Sequence, residues 1–323
     1  MSKYYLVTGG TGFIGTALVH RLVKRGSNVR VFDNNFRGSF NRLHDIADKI
    51  DFFQGDIRDA KSVNKAMEGI DCVCHLAFIN GTEFFYTQPE LVLDVGVKGI
   101  INVLDACREN NVRDLILASS SEVYQTPPSY PTSETVPLSI PDPLNPRYSY
   151  AAGKIISEIM AINYGRKFFD RVVIFRPHNV YGPDMGWEHV IPQFAVRMKQ
   201  LTNASSEKTI RFPVQGTGRE TRSFIFIEDF TSGLELLINK GQHLGIYHIG
   251  TQEEVSIETL AHMVGKYFGH EVSVEPNDPA VGGTSRRCPD ISKLSALGFK
   301  PRYSLKEGLS LTLKWYSEFS KKE

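Results

Sequence analysis

One segment restricts the possible folds more than any other. A strand-like run, Tyr4–Thr8, passes directly into Gly9-Gly10-Thr11-Gly12-Phe13-Ile14-Gly15 and on into a helix-like pattern over Phe13–Lys24. Glycines at 9, 12 and 15 permit a tight turn, close approach of the backbone to a pyrophosphate, and close packing of helix on strand. The start of the helix then offers free amide N–H groups and a partial positive charge to an anion. Eighteen positions beyond Gly15, at the end of a second strand-like run (Asn28–Asp33), stand Asp33 and Asn34. An aspartate there binds the ribose hydroxyls of NAD and repels the extra phosphate of NADP. Arg37 is the counter-signal, since a guanidinium can accept that phosphate. The expected cofactor is NAD, held by Gly9, Gly12, Phe13, Ile14, Gly15, Asp33 and Asn34.

The same alternation continues down the first half of the chain. Asp51–Gln54, Asp71–Leu76, Leu115–Ala118 and Val172–Arg176 read as strands. Between them, Pro89–Glu109 and Tyr150–Phe169 have helical periodicity, with Leu91, Val95, Ile100, Val103 and Leu104 recurring at turn spacing. Strands alternating with helices imply an α/β, Rossmann-type doubly wound parallel sheet. Asp56 and Ile57 follow the third strand, where an adenine meets the sheet edge, and Leu76 and Ala77 end the fourth. Beyond residue 178 the rhythm breaks into shorter mixed pieces. The expected division is a cofactor-binding part over 1–178, joined by a segment near 222–250, and a smaller mixed α/β part over 179–323 that grips the substrate.

Composition narrows the function. The 323 residues carry 37 Lys+Arg and 36 Asp+Glu, a formal net charge of +1. A nucleic-acid binder normally shows a clear basic excess, so nucleic acid is not an expected partner. No apolar stretch approaches the roughly 18 residues of a spanning helix, and no signal-peptide pattern opens the chain. A soluble cytoplasmic protein is the expectation. Four cysteines and nine histidines form no metal-ligand spacing. Cys72 and Cys74 alternate on one face of a strand and read as buried thiols.

The chemistry-bearing residues lie further on. Tyr150-Ala-Ala-Gly-Lys154 puts a phenol and an ammonium one helical turn apart on one face. A nearby ammonium favours the phenolate, which makes Tyr150 a candidate general base. Upstream, Ser119-Ser120-Ser121-Glu122-Val123-Tyr124 leaves the fifth strand at the carboxyl edge of the sheet, where ligands of such sheets bind.

With these motifs in order, the chain resembles the extended short-chain dehydrogenase/reductases of the NAD-dependent nucleotide-sugar epimerase/dehydratase family. The similarity is carried by TGGTGFIG at 8–15, GDIRD at 55–59, HLA at 75–77, SSSEVY at 119–124, YAAGK at 150–154, NVYGP at 179–183 and DISK at 290–293. The resemblance implies Ser120, Tyr150 and Lys154 as catalytic residues, with Tyr150 and Lys154 also at the cofactor. It implies a nucleotide-diphosphate sugar as substrate, touched by Ser120, Ser121 and Asn179, with Arg222 and Arg287 as phosphate ligands. Arginine forks suit phosphate oxygens. A homodimer through Leu91–Glu109 and Tyr150–Phe169 of each subunit is the assembly it implies.

The expected reaction begins with oxidation of the sugar at C4 to a 4-keto intermediate, most simply in a UDP-sugar 4-epimerase-like enzyme. Departures from the family pattern open alternatives. Gly96 stands where many members have asparagine, Gln125 replaces a glycine, and Gly153 replaces a serine. Ser121-Glu122 resembles nucleotide-sugar 4,6-dehydratases and UDP-glucuronate decarboxylases, in which Glu122 would be a fourth catalytic residue. A C4 dehydrogenase releasing the keto sugar, and a non-catalytic NAD-binding regulator, are the other readings. Phe84, Phe85 and Tyr86 are candidates for the sugar pocket wall, and Trp187 and His189 for the nucleotide pocket.

Overall fold

A computed structural model describes residues 2–204, 207–279 and 282–319. Strands β1 (Tyr4–Thr8), β2 (Asn28–Asp33), β3 (Asp51–Gln54), β4 (Cys72–His75), β5 (Asp114–Ala118) and β6 (Arg171–Pro177), with a later strand Gly245–Ile249, form one seven-stranded sheet. All its pairings are parallel, and the order is 245–249, β6, β5, β4, β1, β2, β3. This is the doubly wound α/β sheet expected, and its order reverses between β1 and β4.

Side-chain alternation explains how both faces are covered. Leu6, Val73, Leu115, Leu117, Val172 and Ile174 point to one face, under α2 (Ala60–Met67), α5 (Gly99–Glu109) and α6 (Ser149–Gly165). Val7, Val31, Cys72, Cys74, Ile116, Val173 and Phe175 point to the other, under α1 (Phe13–Lys24) and the helix Ile227–Lys240. All four cysteines are buried and free.

Two helices differ from the periodicity reading. After α3 (Thr82–Thr87), the run from Pro89 to Glu109 is α4 (Pro89–Leu93), a π turn over Asp94–Lys98, and α5. The other helix stops at Gly165, because the chain must turn there to begin β6: Phe169 is buried, and the Asp170 amide already donates to the Arg113 carbonyl at 3.0 Å.

Beyond β6 the chain builds helix Val190–Ala204, a parallel pair of strands (Thr209–Gln215 with Glu271–Asn277), and a three-stranded sheet. In that small sheet Thr221–Ser223 lies between Glu254–Ser256 and Arg286–Arg287. The pieces cap the carboxyl edge of the main sheet and close one side of a cleft. Among the described residues no helix is long and apolar enough to cross a membrane.

Candidate active site

A continuous cleft of ≈ 430 Å³ runs along the carboxyl edge of the sheet. At one end, β1 and β4 are fastened together by Thr8. Its hydroxyl accepts from the Leu76 and Ala77 amides at 3.2 Å each and meets His75 Nδ1 at 2.8 Å. Gly9 follows at φ 71°, a left-handed conformation, and a Cβ on it would lie 2.8 Å from the Ala77 nitrogen. A Cβ at Gly15 would lie 2.1 Å from the Gly9 carbonyl oxygen. Any side chain at either position would push the glycine turn and the α1 N-terminus apart.

Asp33 closes the same end. Its carboxylate accepts from the Thr11 amide at 3.1 Å and the Asn35 amide at 2.8 Å, so it is fixed beside the glycine turn. Asn34 donates to Asp56 at 3.1 Å. Asp56 is gripped by the Arg58 guanidinium at 3.0 and 2.8 Å, which lowers its carboxyl to about 2 despite partial burial. Arg37 spans the opening: it reaches Glu188 at 3.2 Å and lies 4.8 Å above the Phe84 ring. Its buried Nη1 has no hydrogen-bond partner among the described residues. A glycine cradle at a helix start, with an unused N–H of Arg37 on the same cleft wall, fits a dinucleotide diphosphate.

The chemical end lies where β5 meets α6. Ser120 caps the short helix Ser121–Tyr124, its hydroxyl accepting from the Glu122 amide at 3.1 Å. Tyr150 sits in an aromatic box, stacked on Phe85 at 4.8 Å and edge-on to Phe78 at 5.1 Å. Burial raises its phenol well above the ordinary value; Ser120 and Arg287 favour the phenolate, while Glu122 opposes it. Lys154 is buried on the next turn, and desolvation lowers its amine to about 7 even though Glu158 favours the charged form. The expected ammonium-to-phenol contact is replaced by another: Lys154 Nζ donates to the Ala118 carbonyl at 2.7 Å and lies 5.8 Å from the Tyr150 ring centre.

The two glycine departures have a common steric explanation. A Cβ at Gly96 would lie 2.3 Å from Phe78 Cζ, and one at Gly153 would lie 2.9 Å from the same atom. The π turn at 94–98 and the glycine on α6 together form a notch that the Phe78 ring fills. π turns recur at functional sites.

Glu122 faces the cleft under three arginines. Arg287 Nη1 donates to it at 2.6 Å and Arg147 is 3.8 Å away. Burial would raise the Glu122 carboxyl, but Arg287, Arg147 and Arg222 outweigh it and hold it below the usual range. Arg147 Nε and Arg287 Nε are buried without partners among the described residues. Arg222 is not on the cleft wall: it donates to the carbonyls of Thr221 and Thr284, both at 2.7 Å, and desolvation beside Arg287 lowers it to about 10. Asn179 lines the cleft while its amide donates to the Ser223 carbonyl at 3.0 Å. The other cofactor, substrate and catalytic residues implied above also line it, whereas Phe84 and Tyr86, candidates for the sugar pocket wall, do not.

Among the remaining aromatics, Phe85 and His189 line the cleft, whereas Trp187 packs on Trp315 and Tyr316 at 6.0 and 4.9 Å. Sequence reasoning passed over a buried network behind the site. Glu158 receives Arg176 at 2.8 and 2.6 Å and a short hydrogen bond from Ser119. Arg176 in turn donates to Tyr124, whose hydroxyl meets His248 Nε2 at 2.6 Å. The signal for Glu158 was present: it continues the i, i+4 stripe of Tyr150 and Lys154. Nothing in the sequence pointed to Arg147.

Comparison with known proteins agrees with this geometry. The model of the NAD dependent epimerase/dehydratase family matches residues 5–250. UDP-glucuronic acid decarboxylase 2 of Arabidopsis thaliana is 32% identical over 317 residues, covering 96% of this chain and 67% of that protein. UDP-glucose 4-epimerase of Mycolicibacterium smegmatis is 30% identical, with 96% and 97% covered. The structure of a dTDP-glucose 4,6-dehydratase from Streptomyces venezuelae with NAD bound superposes with a TM-score of 0.85 at 28% identity, covering 98% of this chain and 97% of that one. The chain belongs to the NAD dependent epimerase/dehydratase family.

Proposed function

We propose that the protein oxidises C4 of a nucleotide-diphosphate sugar and then acts at C5, as a decarboxylase of a nucleotide hexuronate. The observation that carries this reading is the Glu122–Arg287 pair beside Tyr150, with Arg147 and Arg222 close by. One carboxylate among three guanidiniums leaves a local excess of positive charge with unused donors, which suits an anionic group on the sugar as well as the diphosphate.

NAD, when bound, supplies the hydride acceptor. Tyr150 takes the proton of the C4 hydroxyl, which Ser120 orients. Lys154 contributes positive charge behind the phenolate. A carboxylate on C5 is then β to the C4 ketone. Loss of CO2 leaves the C5–C6 electron pair on an enolate, a proton returned to C5 restores the ketone, and return of the hydride to C4 with the proton from Tyr150 gives the UDP-pentose. Arg287 holds the departing carboxylate, and Glu122 keeps Arg287 in place. Dehydration fits less well, because expelling the C6 hydroxide calls for a general acid and a serine hydroxyl, Ser121, occupies the adjacent position.

Epimerisation at C4 is the second reading. The Mycolicibacterium smegmatis epimerase favours it, being matched over 97% of its length. Incubation with UDP-glucuronate carrying a 13C carboxyl, and in parallel with UDP-glucose, decides between them by NMR. Labelled bicarbonate and a UDP-pentose are expected. Interconversion of UDP-glucose and UDP-galactose without bicarbonate would overturn the decarboxylase reading. A homodimer is proposed through α5 and α6, where Ile101, Ile156 and Ile159 stay exposed.

A further inference from the structure

We infer that Phe78 is a positioning residue for the Tyr150–Lys154 pair, its ring face supporting the buried Lys154 ammonium and its edge fixing the plane of the phenol. This rests on the reading of Tyr150 and Lys154 as the proton-handling pair. Lys154 Nζ lies 4.0 Å from the Phe78 ring centre, well within the range of a cation–π contact. An ammonium has three N–H donors, and here one of them is given to the Ala118 carbonyl.

The polar groups around it have other partners. Glu158, one turn further along α6, is taken by Arg176 from β6 and Ser119 from the end of β5. His75 at the end of β4 is turned to Thr8, and burial lowers its imidazole to about 3, so it adds no charge. Tyr150 adds none while its phenol is protonated. Glu122 and Arg287 act electrostatically on Tyr150, with opposite signs. The Phe78 face is therefore the close support that burial leaves to the cation.

The ring is in turn fixed from behind. Its Cζ fills the notch at Gly96 and Gly153, two positions where a Cβ would strike it. Across Tyr150, Phe85 stacks on the opposite side of the box. The two glycines and the phenylalanine are thus one device: remove the ring and the cation loses its support, or fill the notch and the ring is driven forward.

The test is a titration of Lys154 in the holoprotein, with lysine 13C-labelled at Cε and followed by NMR. Two variants are compared, Phe78→Leu and replacement of Phe78 by 3,5-difluorophenylalanine. The fluorinated ring keeps shape and packing but has a weakened π face. A desolvated cation–π contact corresponds to a shift of roughly half to one and a half pH units. Lys154 is expected to titrate lower by about that amount in Phe78→Leu, and lower by a smaller step with the fluorinated ring. An unchanged titration with the fluorinated ring would overturn the inference and leave Phe78 as packing. The readout does not use turnover. If Tyr150→Phe proved fully active, the proposed chemistry would fall while the titration still judged Phe78.

Discussion

Replacing Gly96 with alanine puts the notch under a direct test. In a helix interior the change ordinarily stabilises by about 1 kcal/mol, because glycine is the more flexible residue. Here the new methyl would lie 2.3 Å from Phe78 Cζ, 2.6 Å from Cε2 and 3.1 Å from Cε1. The ring has little room to retreat, with Tyr150, Lys154 and Gly153 around it. Overpacking of this kind costs roughly 1–3 kcal/mol, so the net effect is destabilisation by up to about 2 kcal/mol. In a Phe78→Ala background the obstacle is gone and the same substitution should stabilise by about 1 kcal/mol. The two values differ by an interaction energy of roughly 1–3 kcal/mol, within the range of contacting residues. Denaturant midpoints at unchanged m-value for the four proteins of the cycle measure it. Additivity, with Gly96→Ala equally stabilising in both backgrounds, would refute the notch.

Three other outcomes follow from the site. Tyr150→Phe should abolish turnover while nucleotide-sugar affinity, measured by calorimetry, stays within a few-fold; near-normal turnover would remove Tyr150 from the mechanism. Lys154→Met should raise stability at pH 6 by on the order of 4 kcal/mol, because a buried amine lowered from 10.5 to about 7 is charged there at a cost the unfolded chain does not bear. That gain should shrink as pH rises from 7 and vanish near 10.5; a gain independent of pH would show that the amine is not so perturbed. Ile159→Lys, at a position 53% exposed on α6, should shift the mass seen by light scattering from dimer to monomer; an unchanged mass would place any dimer contact elsewhere.

Much of the scaffold can be read from local patterns. β1, the glycine turn and α1 are adjacent in the chain, and the Tyr150–Lys154 spacing is one helical turn, so their geometry follows from short-range rules. What could not be read depends on distant partners. Gly96 and Gly153 look like losses of an asparagine and a serine until Phe78, from a third element, is seen in the space they leave. Arg222 is a phosphate ligand by resemblance, yet its position behind the cleft wall, with N–H groups turned to the Thr221 and Thr284 carbonyls, depends on distant strands. Arg147 comes within 3.8 Å of Glu122 from the far end of the segment between β5 and α6, a contact that no local pattern announces. The end of α6 at Gly165 was hidden because the apolar pair Phe168-Phe169 follows it, although that pair packs into the core from the turn before β6.

The seventh strand, Gly245–Ile249, has a mechanical consequence. It pairs with β6 after helix Ile227–Lys240 has carried the chain back onto the main sheet from the excursion that begins at Asn179. The outgoing and returning segments run side by side, with the His178 amide donating to the Ile249 carbonyl at 3.0 Å and Gly250 packed against the His178 side chain. Bending at this joint would therefore turn both segments together rather than a single link. A protease nick within residues 179–244 would leave the fragments spliced through that joint. A chain ending at 178 would expose the outer hydrogen-bonding row of β6 to other molecules.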